Sequence, residues 1–387
     1  MLSLVNFLLF LFTSRGGGLL LNKNFFSNFI YIFSLIIVWL CSHTLLEWKK
    51  KSGVLLSIIT SGIVLLSLKT KSLFFFYIFF EFRVVPVTLI VFLFGYQPEK
   101  LQAALFLLLY TVIGSLPLLL FLISIEPHLM IRSLVSLSVT LGFMVKTPMF
   151  LLHTWLPKAH VEAPVGGSII LAGVLLKLGS YGLLLFLPYV KQNSLLSFYC
   201  TLSFLGTVCC SLYCIRQGDI KLLIAYSSVV HMGQITVGFV RGTEVGYVCG
   251  VIIVIGHGIC SPFLFSMAYC MYVGTKSRLL LNNTRSYTFL NWIFFALITL
   301  NIAVPPSLNI WTEIMYVQRA IILFVGSLPL LLLGFFLSVL YNLYLYTSCS
   351  HSKYCKPYIA ENYWVYHFLQ VVILGYCAIF SLEIFHI

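Results

Sequence analysis

Apolar runs of about 20 residues, the length a helix needs to cross a hydrocarbon core, recur along nearly the whole chain. Charged residues make up 9% of the 387 residues and hydrophobic ones 60%, whereas soluble domains carry about 25% charge. That composition excludes a soluble enzyme. Inside lipid every backbone polar group must be satisfied within its own segment, so the expected fold is all-α and polytopic. The reading gives 13 spans, at 2–13, 25–45, 53–69, 72–94, 101–123, 133–157, 166–187, 194–214, 220–240, 244–273, 287–318, 322–346 and 362–384. Two are expected to be broken helices: 133–157, where Pro148 lies beside Lys146, and 287–318, which carries Pro305 and Pro306. The connecting loops are short, and none is long enough for a soluble domain.

The formal charge of +13 does not point to nucleic acid. Beyond Lys49, Lys50 and Lys51 there is no dense basic block and no aromatic-interleaved basic stripe. The basic residues instead fit loops that hold one face of a membrane protein. Of the 23 Lys and Arg, 12 fall in loops on one side (46–52, 95–100, 158–165, 215–221, 274–286 and 347–361), 8 on the other, and 3 inside spans. The richer side is expected to face the matrix or cytoplasm. The 11 cysteines are scattered in apolar runs without metal-ligand spacing, and the sequence contains no glycine-rich nucleotide loop. The N-terminal MLSLVNFLLFLFTS has neither the Arg- and Ser-rich pattern of a transit peptide nor a signal cleavage site, and reads as a first, short span.

Against this apolar background, four ionisable residues fall at membrane depth: Glu81, Lys146, Lys177 and Glu313. Each costs about 2.5–3.5 kcal/mol at a bilayer centre if left uncompensated. Together they would cancel the stability of a whole domain, so they must be paired, hydrated or neutral. Burial and a nearby opposite charge push such groups in opposing directions, which makes a Glu81–Lys146 pair a switchable proton store. The sequence alone does not say whether the two meet. His153, His160, His231 and His257 lie at membrane depth or at a span edge and extend the set toward a proton relay. His153 follows Lys146 by seven residues, two turns along the same face of an unbroken helix. Arg83 is also inside a span; at two residues from Glu81 it points to the other helix face, so a neighbouring helix or a lipid headgroup is its expected partner.

These residues sit in recognisable surroundings. FMVKTPMFLLHTWLPKAHVEAPVGGSIILAGVLLKLGSYG (143–182) resembles the NADH dehydrogenase subunit 4 family, membrane-arm subunits of mitochondrial respiratory complex I. FYIFFEFRVVPVTLIVFLFGYQPEKLQAALFLLLYTVIGSLPLL (76–119), DIKLLIAYSSVVHMG (219–233), IGHGICSPFLF (255–265) and AVPPSLNIWTEI (303–314) are similar to the same family. The resemblance implies two inverted five-helix repeats, each with a broken helix, over 53–187 and 194–346. They would be flanked by N-terminal helices in 1–52 and a loop and last helix in 347–387. It also implies roles: Lys146 as the pumping lysine with Glu81 beside it, Lys177 as the central relay, Glu313 as the exit-side acid, and the four histidines lining the hydrophilic axis.

The implied function is proton translocation coupled to NADH oxidation and ubiquinone reduction elsewhere in the complex. The chain itself would hold no cofactor; NADH, FMN, iron–sulfur clusters and ubiquinone belong to the wider complex. The implied partners are other membrane-arm subunits, including antiporter-like subunits 2 and 5, and inner-membrane lipids such as cardiolipin, with no nucleic acid. The implied location is the mitochondrial inner membrane, multi-pass. The chain departs from the family pattern in being short by about one N-terminal helix, in a compressed stretch between Glu81 and Lys146, and in carrying Arg83 where an uncharged residue is usual. Rival readings are a free-standing cation/proton antiporter and a structural spacer whose charges are inert ion pairs.

Overall fold

A computed structural model describes residues 51–70, 72–123, 132–186, 194–240, 244–280, 288–305, 307–323 and 328–350. The expected spans 2–13, 25–45 and 362–384 lie outside them. Among the described residues all regular structure is helical, apart from one isolated bridge between Asp219 and Leu279. The chain is a multi-pass membrane protein: eight helices in these residues are long and apolar enough to cross a bilayer.

In chain order the described helices begin with α1 (Lys51–Lys69), the pair α2 (Leu73–Phe82) and α3 (Val84–Phe94), α4 (Lys100–Ile123), the pair α5 (Arg132–Lys146) and α6 (Trp155–Glu162), and a helix of three parts. Those parts are α7 (Val165–Ile170), a π-turn (Leu171–Leu175) and α8 (Leu176–Phe186). The described helices continue with α9 (Ser194–Arg216), α10 (Ile220–Val240), α11 (Glu244–Thr275), the pair α12 (Thr288–Ile302) and α13 (Leu308–Leu323), and α14 (Leu328–Ser350). The chain breaks between α5 and α6 and again between α12 and α13.

Each interruption has a local cause. Pro148 has no N–H to continue the ladder after Lys146, and the chain turns through Leu151 at φ 75° before restarting at Trp155. Pro305 stops α12, and Ala303 there takes φ 68°. Left-handed backbone is costly for side chains other than glycine, so both breaks hold strain that the surrounding packing must support. A milder interruption separates α2 from α3 at Arg83. Pro86 cannot donate to the carbonyl of Phe82 and crowds it, which turns the helix one residue later.

Freed backbone groups at the first break are recaptured by side chains. The Trp155 indole N–H donates to the Val145 carbonyl at 3.0 Å. At the second break the Asn309 amide donates to the Leu300 carbonyl at 3.4 Å. This is how non-helical backbone persists at membrane depth: neighbours supply what lipid cannot.

Helices α10, α7 and α8 are buried nearly all round, whereas α4 turns Leu105, Leu109, Ile113 and Leu120 outward as a continuous apolar stripe. The stripe is the face expected against lipid tails. Helices α1–α8 and α9–α14 meet where α11 packs on α7 and the π-turn, and α10 packs on α6. The segment 158–165, expected as an exposed loop on the basic side, is not one. Residues 155–162 form α6, with His160 and Glu162 buried, because α6 is trapped between α4 and α10. Lys221, expected in a loop, is likewise 7% exposed in the first turn of α10.

Candidate functional site

A succession of buried polar residues runs from the earlier of these helices into the later ones. It starts where α5 ends. The Lys146 side chain is fully buried and its Nζ lies 2.5 Å from Glu81 Oε1, across α5 and α2. Glu81 keeps 20% of its side chain exposed. The same ammonium stands 3.5 Å from the centre of the Phe80 ring. A desolvated cation gains about 2 kcal/mol from an aromatic face, so Lys146 is held by a carboxylate and a ring together. Nothing in a sequence with 34 phenylalanines singled out Phe80.

Helix α8 approaches this corner at Gly179. A Cβ there would stand 2.9 Å from Thr147 Cγ2 and 3.3 Å from the Lys146 carbonyl carbon. Only a hydrogen fits, and the glycine lets α8 bring Lys177 to the same buried layer as the break after Lys146.

Lys177 is fully buried, and its Nζ has two partners. It donates to the Ala172 carbonyl at 2.5 Å and lies 2.9 Å from His257 Nδ1. The π-turn explains the first contact. Over Leu171–Leu175 the ladder slips by one residue, with the Leu176 N–H reaching Leu171, and this leaves the Ala172 carbonyl to the lysine. Such turns frequently sit at functional sites.

Histidines continue the line. The His257 and His231 rings are 5.0 Å apart. His160 lies on Phe265 at 4.5 Å, nearly parallel, with neither ring nitrogen hydrogen-bonded. His153 is set apart in the break, between Phe150 and Tyr226 at 5.5 and 6.1 Å. The break also means that His153 does not share a helix face with Lys146. Beyond His231, the Asn301 amide donates to Asn342 at 2.9 Å, tying α12 to α14. Glu313 is half-buried in α13, and the fully buried Tyr341 of α14 lies within its electrostatic reach.

A second polar group closes the line at one end of the helices. Lys221 Nζ donates to the Ala163 carbonyl at 3.0 Å, and Arg278 Nη1 to the Val161 carbonyl at 3.1 Å. Asp219 accepts from the Lys221 N–H at 3.0 Å. Burial raises the carboxyl pKa of both Glu162 and Asp219, and the nearby Arg278 and Lys221 charges oppose the rise in each.

Structure thus brings Glu81 to Lys146, and Lys177 to His257, His231 and His160, while His153 and Glu313 stand further along. Among the described residues no group of His, Cys, Asp and Glu is arranged to hold a metal ion.

A family described as "NADH:quinone oxidoreductase/Mrp antiporter, TM" matches residues 70–341. The chain is 38% identical to "NADH-ubiquinone oxidoreductase chain 4" of Albinaria caerulea over 77% of its length and 74% of the relative's. It is 38% identical to the protein of that name in Mytilus edulis, over 90% and 88%. Its fold superposes on a chain of "Respiratory complex I from Thermus thermophilus with bound NADH" with a TM-score of 0.83, covering 98% of this chain and 90% of that one at 22% identity.

Proposed function

The chain belongs to the NADH:quinone oxidoreductase/Mrp antiporter transmembrane family, and from that membership we propose that it is a proton-translocating membrane-arm subunit of NADH:ubiquinone oxidoreductase, respiratory complex I. The observation that carries the mechanism is the buried Lys146–Glu81 pair at 2.5 Å, in line with the buried Lys177–His257 contact at 2.9 Å. Redox chemistry elsewhere in the complex, where NADH, FMN, iron–sulfur clusters and ubiquinone reside, changes the charge state around Glu81. Lys146, deprived of its partner, gives up a proton toward Lys177. The proton then crosses by His257 and His231 to the Glu313 side, with His160 and His153 bordering the path. Moving one charge against 100 mV takes about 2.3 kcal/mol, which is the scale of rearranging one such pair.

In this reading residues 53–187 and 194–346 are two inverted repeats, and each broken fourth member opens its half of the path. The repeated order of five spans with the fourth interrupted supports it. Residues 1–52 and 347–387 supply further helices, for about 13 in all. The subunit sits in the mitochondrial inner membrane against other antiporter-like subunits, 2 and 5 among them, with lipids such as cardiolipin at its outer face.

A mild-detergent native gel of source membranes, stained for NADH dehydrogenase activity and probed for this chain, tests the assignment. Co-migration with the large active band is expected. Migration as a small, redox-inactive species would instead leave a free-standing antiporter.

A further inference from the structure

Arg83 is a buried charge that the relay above leaves unused. It occupies the turn between α2 and α3 and is 1% exposed, yet Nε, Nη1 and Nη2 all lack a hydrogen-bond partner. A guanidinium carries five N–H donors and stays charged. Leaving them empty in a buried place is costly, and such a group is a strong attractor for a carboxylate, which it can grip with two parallel bonds.

One carboxylate is near. The backbone at Arg83 stays helical, with φ −64°, ψ −22° and its N–H on the Phe79 carbonyl, so its side chain reaches Phe80, one turn back on the same face. Its guanidinium carbon stands 4.8 Å from the centre of the Phe80 ring, the ring that Lys146 Nζ approaches to 3.5 Å. Glu81 is within electrostatic reach of Arg83 while bonded to Lys146 through Oε1. Two buried cations therefore share one aromatic ring and compete for one acid. The charged groups that interact with Arg83 are Glu81 on its own span and Lys146 from α5.

We propose that Arg83 is the alternate partner of Glu81: the carboxylate swings from the Lys146 ammonium to the Arg83 guanidinium, and the swing is what frees Lys146 to release its proton. The proposal rests on the proton-pumping role of the Glu81–Lys146 pair. In the swing no covalent bond changes. In the release that follows, one N–H bond of the Lys146 ammonium breaks, the nitrogen keeps the electron pair, and the proton passes to the hydrated path toward Lys177. Arg83 keeps its charge throughout, so the Glu81 carboxylate has a cation to face while its former partner turns neutral. Reprotonation of Lys146 draws the carboxylate back. Arg83 is in this sense a positioning residue; it holds the acid in its second place and carries no proton itself.

The test uses the assembled complex in sealed membrane vesicles, with protons moved per NADH oxidised as the readout, for Arg83→Gln, Arg83→Lys and Lys146→Ala. Arg83→Gln is expected to lose the same share of the proton stoichiometry as Lys146→Ala. Arg83→Lys, which keeps a cation for Glu81, is expected to recover at least half of that share and to shift the pH profile of pumping. Normal stoichiometry in an assembled Arg83→Gln complex overturns the proposal. If Arg83→Gln does not assemble, an Arg83→Lys complex with unaltered stoichiometry and an unaltered pH profile overturns it. Lys146→Ala separates the two layers: normal pumping there removes the pumping pair itself, whereas its loss beside a normal Arg83→Gln removes the alternate partner alone.

Discussion

Lys177 and His257 are 80 residues apart in the chain and meet at 2.9 Å, a buried polar contact that joins α8 to α11. Two groups that both carry a proton when charged cannot comfortably be charged together at that distance, so a proton shared between them belongs to the pair. Exchanging it moves charge from one half of the subunit to the other.

His257→Ala is therefore expected to slow proton delivery across the middle by about 10²-fold, the ordinary worth of one positioned acid–base group, while leaving NADH oxidation in uncoupled membranes unchanged. Lys177→Met is expected to stop it. Proton uptake and release measured separately on the two faces of vesicles check this, and full transfer in His257→Ala would place the crossing elsewhere.

Strain at the two breaks gives a prediction about stability. Leu151 and Ala303 hold φ of 75° and 68°, each at a cost on the order of 1–3 kcal/mol. Leu151→Gly and Ala303→Gly are expected to raise the thermal stability of the purified complex, by about 1 kcal/mol each. A lower melting temperature in both would show that those side chains do more for packing than their backbone costs.

Gly179 has the opposite sensitivity. Adding one methyl drives into Thr147 and the Lys146 backbone, and overpacking of a tight core costs about 1–3 kcal/mol. Gly179→Ala is expected to lower the amount of assembled complex and to reduce pumping in what remains, because α8 must withdraw from the break. Native-gel quantitation beside a proton assay reads both.

Glu162 sets a pH dependence outside the spans. Burial raises its carboxyl from the ordinary 4.5, so the folded state binds this proton more tightly than the unfolded chain does. The resulting contribution to stability is present below the unfolded value and lost as pH rises through the raised one. One carboxylate oxygen lacks a hydrogen-bond partner, which fits that sign. Glu162→Gln is expected to flatten the fall in thermal stability as pH rises above 4.5, the ordinary value of the group. A steeper fall in the variant would contradict it.

The spans were legible because lipid imposes length and hydrophobicity on every crossing segment; 53–69, 101–123 and 220–240 fall within one or two residues of α1, α4 and α10. Both broken helices were legible from Pro148 and Pro305, since proline removes a donor wherever it falls. Lys146, Lys177, Glu81 and Glu313 stood out as rare charges in apolar runs. Contacts were a different matter. That Glu81 reaches Lys146, that Phe80 lies beneath both Lys146 and Arg83, and that a π-turn offers Lys177 the Ala172 carbonyl depend on helix packing across tens of residues, which no local pattern encodes. The buried α6 was missed for a related reason. Lys158, His160 and Glu162 look like loop residues, and only the fit between α4 and α10 shows that their helix lies inside.

The most direct measurement is the number of protons translocated per NADH oxidised by complexes carrying Lys146→Ala. Assembly should remain largely intact, because Glu81 keeps some exposure and has Arg83 beside it. The stoichiometry should fall by most of this subunit's share while electron transfer in uncoupled membranes continues. An assembled Lys146→Ala complex that pumps at the full stoichiometry would contradict the account at its centre.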